Sequence, residues 1–215
     1  MEGYQAFMLP AHLPLFPLTR TVLLPRTFLP LHIFEARYQA LTRDILGTHH
    51  HLLLSLATDA EAPEPLAEDA PFHPVGTLCR VVRAEPLVDG RWNILLQGIQ
   101  AVEITEVDAA HAYRVGSFQG LPYEAGSPWT ERPREGFFQS LYAYGSHFGV
   151  QEQIRDLLGM GLDEDVLLYT LAQALDFEPI ERQFLLESGS LSVLVCRLQD
   201  LLKFSTANRT LPELR

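Results

Sequence analysis

The sequence predicts an α+β protein in which a β-rich unit precedes a small helical bundle. Three observations carry this. Residues from about 10 to 122 are dominated by strand-like apolar runs with one helical period among them. The Asp89-Gly90 pair divides two of those runs, which is a hairpin signature. Beyond residue 133 the apolar spacing becomes helical and stays so.

The stretch "LPLFPLTRTVLLPRTFLPLHIF" sets Leu15, Phe16, Leu18, Val22, Leu23 and Leu24 among Pro14, Pro17, Pro25 and Pro30. It is too apolar for a linker. Proline removes a ladder donor and belongs at strand starts, edges or bulges, so the stretch reads as short bent strands. A helix follows at "FEARYQALTRDIL", where Phe34, Tyr38, Leu41 and Ile45 recur at helical spacing, and Gly47 stops it. "HLLLSLA" (51–57) reads as a buried strand. The acidic, proline-rich segment 58–74 reads as a mobile surface loop. "VGTLCRVVRAEPLVDGRWNILLQG" supplies the hairpin, and "IQAVEITEV" and "AYRVGSFQGLPYE" continue the β pattern.

The segment 124–133 is rich in Gly, Pro and Ser and reads as a connection, dividing the chain into 1–122 and 123–215. Both loops, 58–74 and 124–133, are expected to be the first sites of proteolysis. "REGFFQSLYAYGSHF" predicts an aromatic-rich helix. "DEDVLLYTLAQAL" predicts another, with Asp163, Glu164 and Asp165 at its N-terminus and Val166, Leu167, Leu171 and Leu175 buried. Pro179 opens a further helix that Gly189 can end. Leu191, Leu194, Val195, Leu198, Leu201 and Leu202 stripe the last one.

Composition narrows the function. The 215 residues carry a formal net charge of −11, which argues against nonspecific nucleic-acid binding. Cys79 and Cys196, far apart, suit neither a disulfide framework nor a zinc site, and a reducing cytoplasm is the expected compartment. The N-terminus lacks the basic and apolar parts of a signal peptide, and no apolar run is long enough to span a bilayer.

Catalytic motifs are missing. Fifteen of the sixteen basic residues are arginine, and Lys203 precedes Phe204, so no P-loop exists. Lys203 reads as a surface lysine rather than half of a Ser–Lys dyad. "YGSHFG" is not a nucleophile elbow. Of His49, His50 and His51, consecutive side chains alternate faces and cannot converge on one metal, while His32 reads as a strand histidine. Glu68 and Asp69 sit in a loop that holds no catalytic geometry. No cofactor, metal or catalytic residue is assigned.

Residues 13–41, "LPLFPLTRTVLLPRTFLPLHIFEARYQAL", resemble the start of the Lon protease N-terminal domain family. "VGTLCRVV", "DGRWNILLQGIQAVEI", "YRVGSF" and "PIERQFLLESGSLSVLVCRLQDLL" are similar to its later strands and helices. The resemblance implies a PUA-like β pseudobarrel covered by the "FEARYQAL" helix and followed by helices. In full-length Lon this domain precedes ATPase and protease modules and helps engage substrates and assemble the ring. Without a P-loop or dyad, the chain is read as a stand-alone form with neither ATPase nor peptidase activity. Gly98-Ile99-Gln100-Ala101 stands where many relatives carry basic residues, so a site built from those is not expected here.

Two classes of function follow. The first is a non-catalytic module binding unfolded polypeptide or a partner protein, as a monomer or weak dimer and away from membranes. The second is a small-ligand or RNA binder on the same fold, its RNA form weakened by the net charge. For the first, the expected surface is a groove lined by Phe28, Phe34 and Tyr38 from the β side and by Trp129 and Phe138 from the helical side. Glu35 and Arg37 of "FEARY" are expected to be structural.

Overall fold

The computed structural model describes residues 9–59, 61, 62, 65–122, 124, 126–129 and 133–208. The chain divides into two units, one of Met1–Thr21 and Phe28–Gly120, the other of Val22–Thr27 and Leu121–Arg215.

The first unit holds β1 (His12–Leu18), β2 (Phe28–Ile33), α1 (Ala36–Leu46), β3 (His51–Leu56), β4 (Val75–Pro86), β5 (Trp92–Val107) and β6 (Val115–Gly120). β1 pairs in parallel with β3 and antiparallel with β6, while β3–β4, β4–β5 and β5–β6 are antiparallel. These pairings close a ring of five strands. The sheet is nevertheless not a regular barrel. It mixes parallel and antiparallel neighbours, and the β4–β5 register shifts at Leu78/Cys79 and at Val81/Arg83.

One edge of β5 is long enough to serve two partners, while β4 pairs along the other. Its C-terminal half pairs with β6, and its N-terminal half pairs with β2, from Ile33↔Trp92 to Phe28↔Gln97. β2 is thus the end strand of the sheet order. Pro30 fits there, since an edge strand can spare a donor. Inside the ring Leu13, Leu15, Leu53, Leu78, Val102 and Ile104 pack together. At Gly76 an added Cβ would meet the Leu54 carbonyl oxygen and come within 2.6 Å of Ile104 Cδ1, so only glycine lets these strands approach.

α1 lays Tyr38, Leu41 and Ile45 onto this unit, with the Tyr38 and Phe16 rings 3.9 Å apart. It ends at Gly47 with φ −78, so the glycine supplies no left-handed turn; that conformation falls to His50, φ 62. The loop after β3 is better held than its composition suggests. Ala57, Leu66 and Ala70 are buried together, and Ala57 bridges Phe72.

The second unit holds α2 (Arg134–Phe148), α3 (Gln151–Gly159), α4 (Glu164–Ala174), α5 (Pro179–Leu186) and α6 (Leu191–Asn208). α3 has no counterpart in the sequence reading, although Ile154, Leu157 and Leu158 stand at helical spacing; of its nine residues only Ile154 is fully buried. It closes on α2 where a Cβ on Gly145 would come within 2.9 Å of Ile154 Cδ1. In α4 the buried residues are Leu168, Leu171 and Ala172, followed by Leu175; Val166 and Leu167 are only half-buried, so the apolar face is rotated from the expected one. α5 starts on a capping box of Glu178 and Glu181 with Pro179 in its first turn. Leu194, Val195, Leu198 and Leu202 are the buried stripe of α6.

The segment 22–27 belongs to this helical unit. The Gln173 side chain of α4 grips it by accepting from Leu24 N–H at 2.9 Å and Thr27 Oγ1 at 3.3 Å and donating to Val22 O at 3.2 Å. Arg26, at φ 65, pairs with Asp165 at 3.4 Å. Among the described residues no helix is long and apolar enough to cross a membrane.

Candidate functional site

The corner where β2 runs into α1 exposes aromatic surface. Phe28 is 53% exposed and Phe34 56%, large values for apolar rings. They mark the two ends of the edge strand, roughly 20 Å apart at an extended rise. His32 stacks on Phe34 with ring centroids 6.4 Å apart. The Arg91 guanidinium can only donate, so at 3.4 Å it makes His32 Nε2 an acceptor; Nδ1–H then donates to Asn93 Oδ1 at 2.8 Å. These two contacts orient the His32 ring.

Beside the C-terminal end of β2 lies a small cavity of about 80 Å³, lined by Phe16, Leu18, Leu31, Ile33, Phe34, Tyr38 and Leu66 among others. A larger cleft of about 580 Å³ is lined by Arg37, Tyr38, Glu68, Glu106 and the segment from Val107 through Asp108 and His111 to Arg114. Tyr38 lines both. Its ring is 5% exposed, and burial pushes the phenol up to about 12. Its hydroxyl has no hydrogen-bond partner among the described residues.

Two arginines build the cleft walls. Arg37 donates to Glu35 Oε2, at 3.0 Å through Nε, and to Leu66 O at 2.8 Å, with its guanidinium 4.6 Å from the Tyr38 ring centroid. Arg114 donates to both Glu106 carboxylate oxygens and to Ala70 O, each at 2.6 Å, and lies 4.8 Å from the Phe72 ring centroid. Its hydrogen bonds hold the Glu106 carboxyl below the usual range. Tyr113 donates to Asp44 Oδ2 at 2.7 Å; burial first and this carboxylate second raise its phenol. The two arginines therefore tie the loop at Leu66 and Ala70, with Glu68 between.

The expected site residues separate by unit. In the first, Phe34 and Tyr38 share the smaller cavity, Phe28 stands at the far end of the strand, and Tyr38 reaches solvent only through the cavities. In the second, Trp129 is half-buried, donates from Nε1 to Glu164 Oε1 at 2.8 Å, and has the half-buried Phe138 ring at 6.0 Å. The Arg134 guanidinium lies 5.6 Å from both rings. Sequence reasoning missed Glu106, Asp108, His111, Tyr113 and Arg114, which carry no motif and meet Arg37 only because β6 returns beside β1.

Elsewhere, His51 N–H donates to His49 Nδ1 at 3.1 Å and His51 Nδ1 contacts His49 O, so this run caps a turn. Among the described residues no three His, Cys, Asp or Glu side chains group as a metal site. Lys203 is exposed, and the Ser140 hydroxyl donates to Gly136 O while accepting from Gln199 Nε2.

This arrangement, a bulged strand ring with a separate set of helices, is the fold of Lon N-terminal domains. A Lon N-terminal domain protein from Xanthomonas campestris superposes with a TM-score of 0.62 at 25% identity, over 90% of this chain and 98% of that one. The N-terminal domain of the Mycobacterium avium complex Lon protease superposes at 0.59 with 14% identity over 92% and 99%, a likeness of fold alone. The chain belongs to the ATP-dependent protease La (LON) substrate-binding domain family, whose model matches residues 12–203. It is 26% identical over 189 residues to Lon protease 2 of Syntrophobacter fumaroxidans, which covers 83% of this chain and 22% of that protein. It is 34% identical over 113 residues to the Lon protease of Geobacter metallireducens, over 50% and 13%. The chain thus spans about a fifth or less of the length of these relatives.

Proposed function

We propose that this chain is a non-catalytic polypeptide-binding module of the cytoplasm, monomeric or weakly dimeric, that engages extended segments of unfolded protein through the β2 corner. The observation that carries this is the pair of exposed rings, Phe28 and Phe34, on an edge strand beside an apolar cavity. An edge strand offers backbone groups to an added strand, and aromatic rings anchor its side chains. Family membership supports the same reading. Trp129 and Phe138 form an aromatic surface on the helical unit that we propose as a further contact. ATP hydrolysis and peptide cleavage lie outside the reading, since no P-loop or activated nucleophile stands in the sequence.

A permanently unfolded, fluorescently labelled polypeptide titrated with the protein tests it. The double variant Phe28→Ser, Phe34→Ser should lose about tenfold or more in affinity while keeping its melting temperature, because two exposed anchors are removed. Equal affinity in the two proteins would refute the assignment.

A further inference from the structure

We infer that the 580 Å³ cleft beside Tyr38 is a subsite for a cationic side chain, a lysine or arginine, of a bound polypeptide. The inference rests on the polypeptide-binding reading and adds a charge preference that an apolar corner does not have. Its volume lies within the range of side-chain and small-ligand sites.

Three features point the same way. First, Tyr38, whose relative exposure is 5%, lines the cleft, and its hydroxyl has no hydrogen-bond partner among the described residues. The hydroxyl oxygen stays accessible and can accept a hydrogen bond from a ligand donor. Second, the positive charge of the walls is already used. Arg37 is paired with Glu35, and the Arg114 fork is filled by Glu106 and Ala70 O. Glu68 and Asp108 line the same cleft, and neither is in an ion pair among the described residues, so the local balance is negative. Third, His111 and Tyr113 stack at 5.1 Å on one wall, a π surface suited to a cation. An acidic ligand would meet two free carboxylates. A basic one would meet two attractive charges, an acceptor and a ring face.

The test uses the full chain and three labelled, unstructured peptides: one of apolar residues and serine, one with a single central lysine, and one with a single central glutamate. The lysine peptide should bind about tenfold more tightly than the neutral one, as a charge-assisted hydrogen bond implies, and the glutamate peptide no better than neutral. The double variant Glu68→Gln, Asp108→Asn, at exposed positions, should remove most of the lysine advantage and leave neutral-peptide affinity intact. Tyr38→Phe should likewise shrink the ratio of lysine-peptide to neutral-peptide affinity, whatever it does to the neutral peptide itself. Neutral binding without a lysine preference, or a preference surviving both variants, overturns the subsite alone. Failure of every peptide to bind overturns the polypeptide reading and this inference with it.

Discussion

At the scale of single residues, Arg37 shows why a motif position need not be a functional one. Its guanidinium joins Glu35 at the start of α1 to the Leu66 carbonyl, 29 residues away, and covers the Tyr38 ring. Arg37→Ala should therefore lower the melting temperature, by an amount equivalent to about 1–3 kcal/mol, because the Leu66 carbonyl loses its charged donor. Unchanged melting would refute the structural role. Glu106 makes a pH prediction. Arg114 depresses its folded pKa below the ordinary value of 4.5, so its contribution is present above about that pH and is lost as pH falls through the folded value. The melting-temperature gap between wild type and Glu106→Gln should hold at neutral pH and close below pH 4 or so. A gap that widens with acid would contradict the pairing. "FEARY" was legible in the sequence as structural. The identity of the arginine's partner was not, because a loop carbonyl has no sequence signature.

At the scale of elements, the prolines, the Asp89-Gly90 hairpin and the α6 stripe were all readable because each obeys a local period or turn rule. α3 was not so readable: Ile154, Leu157 and Leu158 make a single helical step, too short a period to mark a nine-residue helix by itself. Nor was the assignment of 22–27 to the helices, which rests on contacts with Gln173 and Asp165 of α4. Gln173→Leu should cost about 1–3 kcal/mol in denaturant unfolding, by leaving the Leu24 N–H and Val22 C=O without their partner. A neutral effect would show that the segment is held by apolar packing alone. Gly76→Ala should be more severe than a surface glycine change such as Gly159→Ala, whose added Cβ meets nothing within 4 Å. Equal effects on stability would mean that β3 and β4 can separate freely.

At the scale of the whole molecule, the two units suggest where the chain yields to a protease. The loop 58–74 was expected to be as open as 124–133, yet Arg37 and Arg114 tie it at Leu66 and Ala70. Limited proteolysis should therefore cut first within 124–133, the connection we propose as the domain boundary, and reach 58–74 only later. First cleavage inside 75–107, where β4 and β5 pair along most of their length, would contradict this map.

By itself the sequence indicated most of the strands, the Asp89-Gly90 turn and every helix but α3, and its opening motif was enough to indicate the family. Those properties arise from neighbours along the chain: alternation, helical spacing, and prolines and glycines that restrict or free the backbone. Only the tertiary structure decided that one edge of β5 serves two partners, that the ring is bulged and mixed, and that 22–27 joins the helices. It also decided that Tyr38 is buried while Phe28 and Phe34 are exposed, though all three read alike as apolar positions. The cleft is the clearest case. Arg37 and Arg114 are 77 positions apart, and the charge of the space they wall depends on which carboxylates each arginine meets. Such pairings are set by strand register and ring closure across the fold, which no local pattern records.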